Sequence, residues 1–309
     1  MMKRLERATR RALLAIGCFS AALGLADAAN AEPGKYFIAI HCDPQHADED
    51  DWDALVALVD AANGHEQKLT IQLNPAWGPI IAEVYKGPDQ IAGWATSGHE
   101  ISGHHHVLGH SGGWDGYSNE GGAAGISGYL GDMQQWLTDL EAILPEGISV
   151  KTVASKDHDF PAGVPFQTGG TGSTTNPDSA ASIPTPKILA GDIVWNLDNS
   201  ALIAGGTWQI DETMAAFDAA TSDQVFGVAV HPQDYYEGNR VQMTRWLLFL
   251  DDRDPTASRS VTAGALLQAH VDSLEGVPAG SPTTLTVQIA TLLALGGLAL
   301  RRSASRLRR

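Results

Sequence analysis

The chain contains few cysteines and few basic side chains, and both shortages narrow what it can do. Its 309 residues include two cysteines, Cys18 and Cys42. Cys18 lies in an N-terminal segment that the sequence predicts to be removed, and a single remaining thiol excludes an intramolecular disulfide. Lysine and arginine together number 20, against 36 acidic residues, for a formal net charge of −16.

The basic residues are concentrated at the two ends, so the middle of the chain is strongly acidic. Between residues 31 and 285 there are 10 basic and 34 acidic residues, a net charge near −24. A surface of this kind repels polyanions, which excludes nucleic acid and anionic lipid as partners. Neutral or cationic substrates and bound cations are compatible with it.

Residues 1–31 have the pattern of a secretory signal peptide. Five positive charges precede an apolar run, and a small-x-small cleavage site stands at residues 29–31. We expect cleavage before Glu32. Lipidation at Cys18 is an alternative, but the apolar run continues well beyond that cysteine and favours the simple signal peptide.

An apolar run at residues 285–300 is followed by five arginines, the last of them Arg309. Sixteen residues at 1.5 Å each fall short of a bilayer core of about 30 Å, although flanking arginines can snorkel. Together with the signal peptide, this tail resembles bacterial sorting tails of the PEP-CTERM kind, without their Pro-Glu-Pro signature. We therefore expect an exported protein, periplasmic or at the cell surface. Its tail is either a membrane anchor or the target of a sorting protease.

The segment between these ends predicts one α/β domain over residues 32–275, with residues 276–284 as a linker. Short apolar runs rich in strand formers alternate with amphipathic segments, the order typical of a parallel sheet. The clearest helix prediction covers residues 126–144, and residues 167–186 are predicted to be a flexible excursion. Predicted strands lie at residues 36–43, 68–73, 150–155, 188–189, 192–197 and 225–230, with a further strand leading into a histidine-rich stretch.

Five of the eleven histidines fall within twelve residues, in a stretch that begins at His99 and ends at His110. His104 and His106 share a face of the preceding predicted strand, because side chains alternate along a strand. A turn after the strand would bring His110 over them, which makes His106 and His110 a His-x-x-x-His pair with His104 as neighbour or substitute. Neutral imidazole is the commonest transition-metal ligand, so this stretch predicts a divalent metal site.

Polar side chains also end other predicted strands. Asp43 follows the first strand, Asp157 follows the fourth, and His231 follows the last. Functional groups of α/β folds gather where the carboxyl ends of parallel strands meet. We therefore expect Asp43 and His231 to lie beside the histidines. Cys42 faces away from Asp43 on its strand and is predicted to be buried.

Four features stand in a fixed order along the chain. They are Asp43, the Gly-His-Glu-Ile segment at residues 98–101, the His106 and His110 pair, and His231. Together they resemble the motifs of the polysaccharide deacetylase family, over most of the predicted domain. The resemblance implies a distorted (β/α) barrel that removes N- or O-acetyl groups from sugars with zinc or a similar divalent ion. It further implies that Asp43, His106 and His110 hold the metal, and that His231 is the general acid for the leaving amine or alcohol.

The chain departs from the family pattern at two places. Where the family has two adjacent aspartates, one a base and one a ligand, this chain has Asp43 alone. The general base is therefore open between Asp157 and His41. Two extra residues in the histidine stretch leave His104 and His106 as alternatives for one ligand position.

The sequence thus predicts an exported, metal-dependent hydrolase that removes acetyl groups from a polysaccharide or a related glycan. Trp77 and Trp114 are candidates for stacking on a sugar ring. A non-catalytic carbohydrate- or metal-binding surface protein on the same barrel is an alternative, favoured by the missing second aspartate and opposed by His231. A glycosidase is another alternative, but it needs paired carboxylates, and Asp43 and Asp157 are the only obvious pair.

Overall fold

The computed structural model describes residues 32–174, 177–203, 210–235 and 240–275. Contacts between residues divide the chain into two compact units, Met1–Leu267 and Gln268–Arg309. The described residues of the second unit form the C-terminal end of the last helix.

The described residues contain nine strands and seven α-helices. The strands are β1 (Lys35–His41), β2 (Leu69–Leu73), β3 (Glu100–His104), β4 (Thr152–Ala154), β5 (Phe166–Thr174), β6 (Ala181–Ser182), β7 (Thr185–Leu189), β8 (Asp192–Leu202) and β9 (Val225–Val230). The helices are α1 (Glu49–Gly64), α2 (Gly78–Glu83), α3 (Gly87–Thr96), α4 (Met133–Ala142), α5 (Ile210–Ala219), α6 (Arg240–Arg253) and α7 (Ala263–Glu275).

Seven of the strands run parallel and form a ring in the order β9-β1-β2-β3-β4-β5-β8. The ring closes because β8 also pairs with β9, through Ala201 beside Val228 and Leu202 beside Ala229. Strands β6 and β7 run antiparallel to β9 and β8 at its margin. The register between β5 and β8 shifts after Thr168. The architecture is therefore a distorted (β/α) barrel, and this confirms the expected fold class.

Near their C-terminal ends, β1 and β2 turn polar side chains into the barrel. On β1, Ile38 and Ile40 belong to the hydrophobic core, whereas His41 stands in register with Gln72 of β2. The Gln72 amide donates a hydrogen bond of 2.7 Å to the Thr168 hydroxyl on β5. Since β2 and β5 are not neighbours in the sheet, this bond crosses the barrel interior. The interior is thus hydrogen-bonded and polar below the strand ends.

The first turn of helix α7 lies against the N-terminal end of β3. The backbone N–H of Gly264, in its first turn, donates to Glu100 at the start of β3, at 2.9 Å. The hydroxyls of Thr70 and Thr152 also donate to Glu100. A Cβ at Gly264 would lie 2.2 Å from the Glu100 carboxylate, so glycine is required there. Burial raises the pKa of Glu100 in spite of these donors.

Two predicted elements differ from the structure. The helix predicted over residues 126–144 begins only at Met133, because Asp132 caps it by accepting from the N–H groups of Gln134 and Gln135. The excursion predicted over residues 167–186 contains strand β5 instead. Its backbone is held by pairing with β4 and β8, which the glycine-rich composition does not reveal.

The predicted cellular location is not supported. Among the described residues, no helix is long and apolar enough to cross a membrane. This finding corrects the expectation of an exported, envelope-located protein with a C-terminal membrane helix. The segments behind that expectation, residues 1–31 and 285–309, lie outside the described residues, as does the predicted linker at residues 276–284.

Candidate metal centre

Asp43, His104 and His106 bring three potential metal ligands together at the C-terminal ends of β1 and β3. Asp43 Oδ1 lies 3.2 Å from His104 Nε2 and 3.1 Å from His106 Nε2, and the two nitrogens are 3.0 Å apart. All three side chains are buried. Ligand atoms of a tetrahedral ion with bonds of about 2.0–2.2 Å lie roughly 3.3 Å apart. The three residues therefore fit a divalent metal ion.

The surroundings of the two histidines favour metal binding through Nε2. The Nδ1 of His106 bonds the Gly113 carbonyl oxygen at 2.9 Å. Because that carbonyl can only accept, the proton sits on Nδ1 and the Nε2 lone pair faces Asp43. His104 Nε2 lies on the same side of the strand, as the alternation of the sequence predicted. The structure brings both alternatives, His104 and His106, to Asp43.

The protonation states also suit a metal site. Burial lowers the pKa of His104 to about 4, although the hydrogen bond with Asp43 opposes the shift. His104 is therefore neutral at physiological pH, as a ligand must be. Burial alone would raise the pKa of Asp43, but its interactions with His104 and His106 outweigh burial and lower that pKa.

His110 is not part of this group of three. Its ring lies against that of His106, with the ring centroids 3.9 Å apart. Its Nδ1 accepts a hydrogen bond from the backbone N–H of Gly112 at 3.0 Å, and the residue is exposed. Burial lowers the pKa of His110. The structure thus places His110 beside the centre, in contact with one ligand rather than with Asp43.

His231, directly after β9, is oriented toward the same site. Its Nδ1 bonds Asp234 Oδ2 at 2.8 Å, while its Nε2 lies 3.9 Å from Asp43 Oδ2. Burial alone would lower the pKa of His231. The hydrogen bond to Asp234 and the charge of Asp43 outweigh burial and raise that pKa. His231 is therefore held with its Nε2 turned toward Asp43.

The two candidate bases occupy very different places. The ring of His41 stacks on that of His104, with centroids 4.4 Å apart, and meets that of His231 edge-on at 5.6 Å. Burial, and then its histidine neighbours, lower the pKa of His41 far enough to keep it neutral. Asp157 is 54 % exposed and forms an ion pair of 3.1 Å with Lys187 on β7. Of the two, His41 lies at the site.

The two candidate sugar-stacking tryptophans also differ. Trp77 is fully buried, and its indole N–H donates to the backbone carbonyl of Asp43 at 3.0 Å. This placement gives Trp77 a supporting position under Asp43 and leaves no ring face open to a sugar. Trp114 is partly exposed and donates to the Tyr117 carbonyl at 2.8 Å. Its ring lies 6.4 Å from that of Tyr129.

The sequence analysis missed Asp115, which connects several parts of the site. Its Oδ2 accepts from the Asn74 amide at 2.8 Å and from the backbone N–H of His106 at 3.2 Å, and it bonds His105 Nδ1 at 2.9 Å. The same Asn74 amide donates to the His104 carbonyl at 2.8 Å. The one signal in the sequence is an acid within the glycine-rich loop that follows the histidines.

Comparisons with known proteins find similar structures and no related sequences. No family model matches the chain, and no curated protein matches it. A Mycobacterium smegmatis structure assigned as a polysaccharide deacetylase is similar with a TM-score of 0.47 at 10 % identity; 78 % of this chain and 92 % of that chain are covered. A second such structure, from Pseudomonas aeruginosa PAO1, has a TM-score of 0.45 at 10 % identity, covering 74 % of this chain and 86 % of that one. Both bear the name of the family that the sequence motifs resemble.

Proposed function

We propose that the protein is a divalent-metal-dependent hydrolase that removes acetyl groups from a polysaccharide or a related glycan. The observation that supports this most directly is the convergence of Asp43, His104 and His106, with His231 beside them, at one end of the barrel. The resemblance of the sequence motifs supports the choice of acetylated sugars as the substrate class.

The ligand set favours zinc. Two imidazoles and one carboxylate are typical of catalytic zinc sites, which leave one coordination position open. A divalent ion bound there supplies Lewis acidity, polarising an acyl oxygen and lowering the pKa of water. Asp43, His104 and His106 would hold it.

His231 acts as the general acid for the departing amine or alcohol. Its Nδ1 is occupied by Asp234, so the proton available to a substrate is on Nε2, which faces the centre. A raised pKa keeps more of this histidine protonated near neutral pH.

His41 replaces the missing second aspartate as the base. It is neutral, buried and packed between His104 and His231. A glycosidase is less well supported, because Asp157, the second carboxylate that it would need, is paired with Lys187.

The test compares the full chain with His106→Ala and His231→Ala. Bound zinc is measured after dialysis, and acetate release is measured on N-acetylated chito-oligosaccharides and on O-acetylated xylan. We expect His106→Ala to lose the metal and all activity. His231→Ala should keep the metal and lose about 10²- to 10⁴-fold in kcat, the usual contribution of a general acid.

Exposed Glu83, at the end of α2, provides a control as Glu83→Gln. This variant should match the parent in both measurements. Absence of bound metal from the parent, together with no acetate release from either substrate, would refute the proposal.

A further inference from the structure

A second group of potential ligands lies outside the site at Asp43. Glu120, in the loop between β3 and α4, meets His158 and Asp159, which follow β4. His158 Nε2 lies 3.1 Å from Glu120 Oε1 and 4.0 Å from Asp159 Oδ2. Glu120 and His158 are about half exposed, whereas the Asp159 side chain is completely buried. One imidazole nitrogen and one oxygen from each of two carboxylates thus lie within 4.8 Å of one another, close to the protein surface.

Asp159 is held in place by the loop that carries Glu120. The Ser118 hydroxyl donates to Asp159 Oδ2 at 2.9 Å, and the backbone N–H of Asn119 donates to Oδ1 at 2.6 Å. Such donors fix the orientation of a carboxylate before any ligand arrives, which is typical of metal-binding carboxylates.

His105 provides an independent indication that a ligand belongs here. Its ring is completely buried, and Nδ1 bonds Asp115. Nε2 has no hydrogen-bond partner among the described residues, yet it faces Asp159 Oδ2 at 3.6 Å. A buried group behind a ligating carboxylate is the usual support of a metal site. His105 stands in that position behind Asp159.

We propose that Glu120, His158 and Asp159 form a second divalent-cation site, separate from Asp43, His104 and His106. The mixed nitrogen and oxygen ligands suit zinc or manganese, and the strongly acidic chain attracts cations to it. A bound ion would join the Glu120 loop to the end of β4. This site does not depend on the proposed hydrolase activity.

Zinc stoichiometry tests the proposal. The full chain is freed of metal with a chelator and titrated with ZnCl₂ by calorimetry, and the ions retained after desalting are counted. We expect two ions per chain. His158→Ala and Glu120→Gln should each keep one ion and weaken the second by at least about tenfold. His104→Ala should keep the ion held by His158. Both surface variants replace exposed side chains, and Glu83→Gln removes the same charge elsewhere as the control.

The outcomes separate the two sites. If His158→Ala and Glu120→Gln bind zinc with the stoichiometry and affinities of the parent chain, the second site does not exist. A single ion that is lost in His104→Ala leaves the proposed function standing and overturns this inference. A single ion that is lost in His158→Ala and kept in His104→Ala supports this inference and overturns the proposed function.

Discussion

Asp43 uses its two carboxylate oxygens for different partners. Oδ1 faces the Nε2 atoms of His104 and His106, whereas Oδ2 accepts from the side-chain amide of Gln233 at 3.2 Å. Gln233 stands two residues after His231, in the turn that follows β9. The turn therefore delivers both His231, the proposed general acid, and a donor that orients the carboxylate. A single aspartate can be positioned accurately in this way without the second aspartate of the family pattern.

The link between Asp234 and His231 predicts a shift in the pH profile. Asp234→Asn removes the interaction that raises the pKa of His231, so that pKa falls. An acid with a lower pKa loses its proton at lower pH. The alkaline limb of kcat should therefore move to lower pH, and kcat at neutral pH should fall by about 10- to 100-fold. The measurement is a pH–rate profile with bound zinc checked at each pH. An unmoved alkaline limb would contradict the assignment of His231 as the acid.

At the scale of single elements, β3 serves two purposes at its two ends. His104 ends the strand at the metal centre, whereas His99 precedes it and is structural. His99 Nδ1 accepts from the backbone N–H of Leu69 at 3.1 Å, and Nε2 bonds Asn63 Oδ1 at 3.0 Å. The Gly-His-Glu-Ile segment thus anchors the start of β3, and the proposed metal ligands lie at its other end.

His99 makes the stability of the fold depend on pH. Burial, and then Lys68, lower the pKa of His99 from 6.5 to about 4. Between these values the unfolded chain binds a proton that the folded chain does not, so stability is lost as the pH falls through this range. His99→Gln cannot titrate there. Urea unfolding gives the free energy of unfolding of the parent and of this variant. The parent's value minus the variant's should be about 2 kcal/mol smaller at pH 5 than at pH 7. An equal difference at both pH values would contradict the role of His99.

Gly103 allows helix α4 to pack closely on β3. A Cβ there would lie 2.4 Å from the ring of Trp136 and 3.0 Å from Leu140. Gly103→Ala must displace buried side chains, so we expect the free energy of unfolding to fall by about 1–3 kcal/mol. The matched control is Gly93→Ala in α3, where nothing lies within 4 Å of the new Cβ. That change should stabilise the helix by about 0.5–1 kcal/mol. Equal changes in the two variants would show that close packing at Gly103 is unimportant.

For the molecule as a whole, closure of the strand ring determines where the site opens, and the net charge determines how charged substrates approach it. The parallel ring directs the ends of β1, β3 and β9 to one opening. The chain around it carries a net charge of −16. A negative field of this kind slows the approach of anionic substrates at low ionic strength.

The charge therefore predicts a salt dependence that differs between substrates. On an O-acetylated anionic glycan, such as acetylated pectin, kcat/KM should rise by about tenfold when NaCl is raised from 0.01 to 0.15 M. The screening length falls from about 30 Å to about 8 Å over this range. On neutral N-acetylated chito-oligosaccharides, the same change should have little effect. A fall in kcat/KM on the anionic substrate with added salt would mean that the electrostatic potential at the opening is not negative.

The sequence by itself determined the parts of this protein that depend on local pattern. Alternation along a strand places His104 and His106 on one face, and a proline after β1 and β9 ends those strands beside Asp43 and His231. The order of strands and helices predicted a parallel α/β fold, and the resemblance of the motifs implied the barrel. These features follow from neighbouring residues and from the fact that parallel strands end at the same edge.

Only the tertiary structure decided which groups meet across long stretches of chain. It leaves His110 beside the centre, pairs Asp157 with Lys187, and inserts Asp115 behind the histidines. It also makes a strand of the glycine-rich segment at Phe166–Thr174, because β4 and β8 supply its hydrogen bonds. Each of these outcomes depends on how a loop or an edge strand folds back onto distant residues. Spacing along the chain does not carry that information.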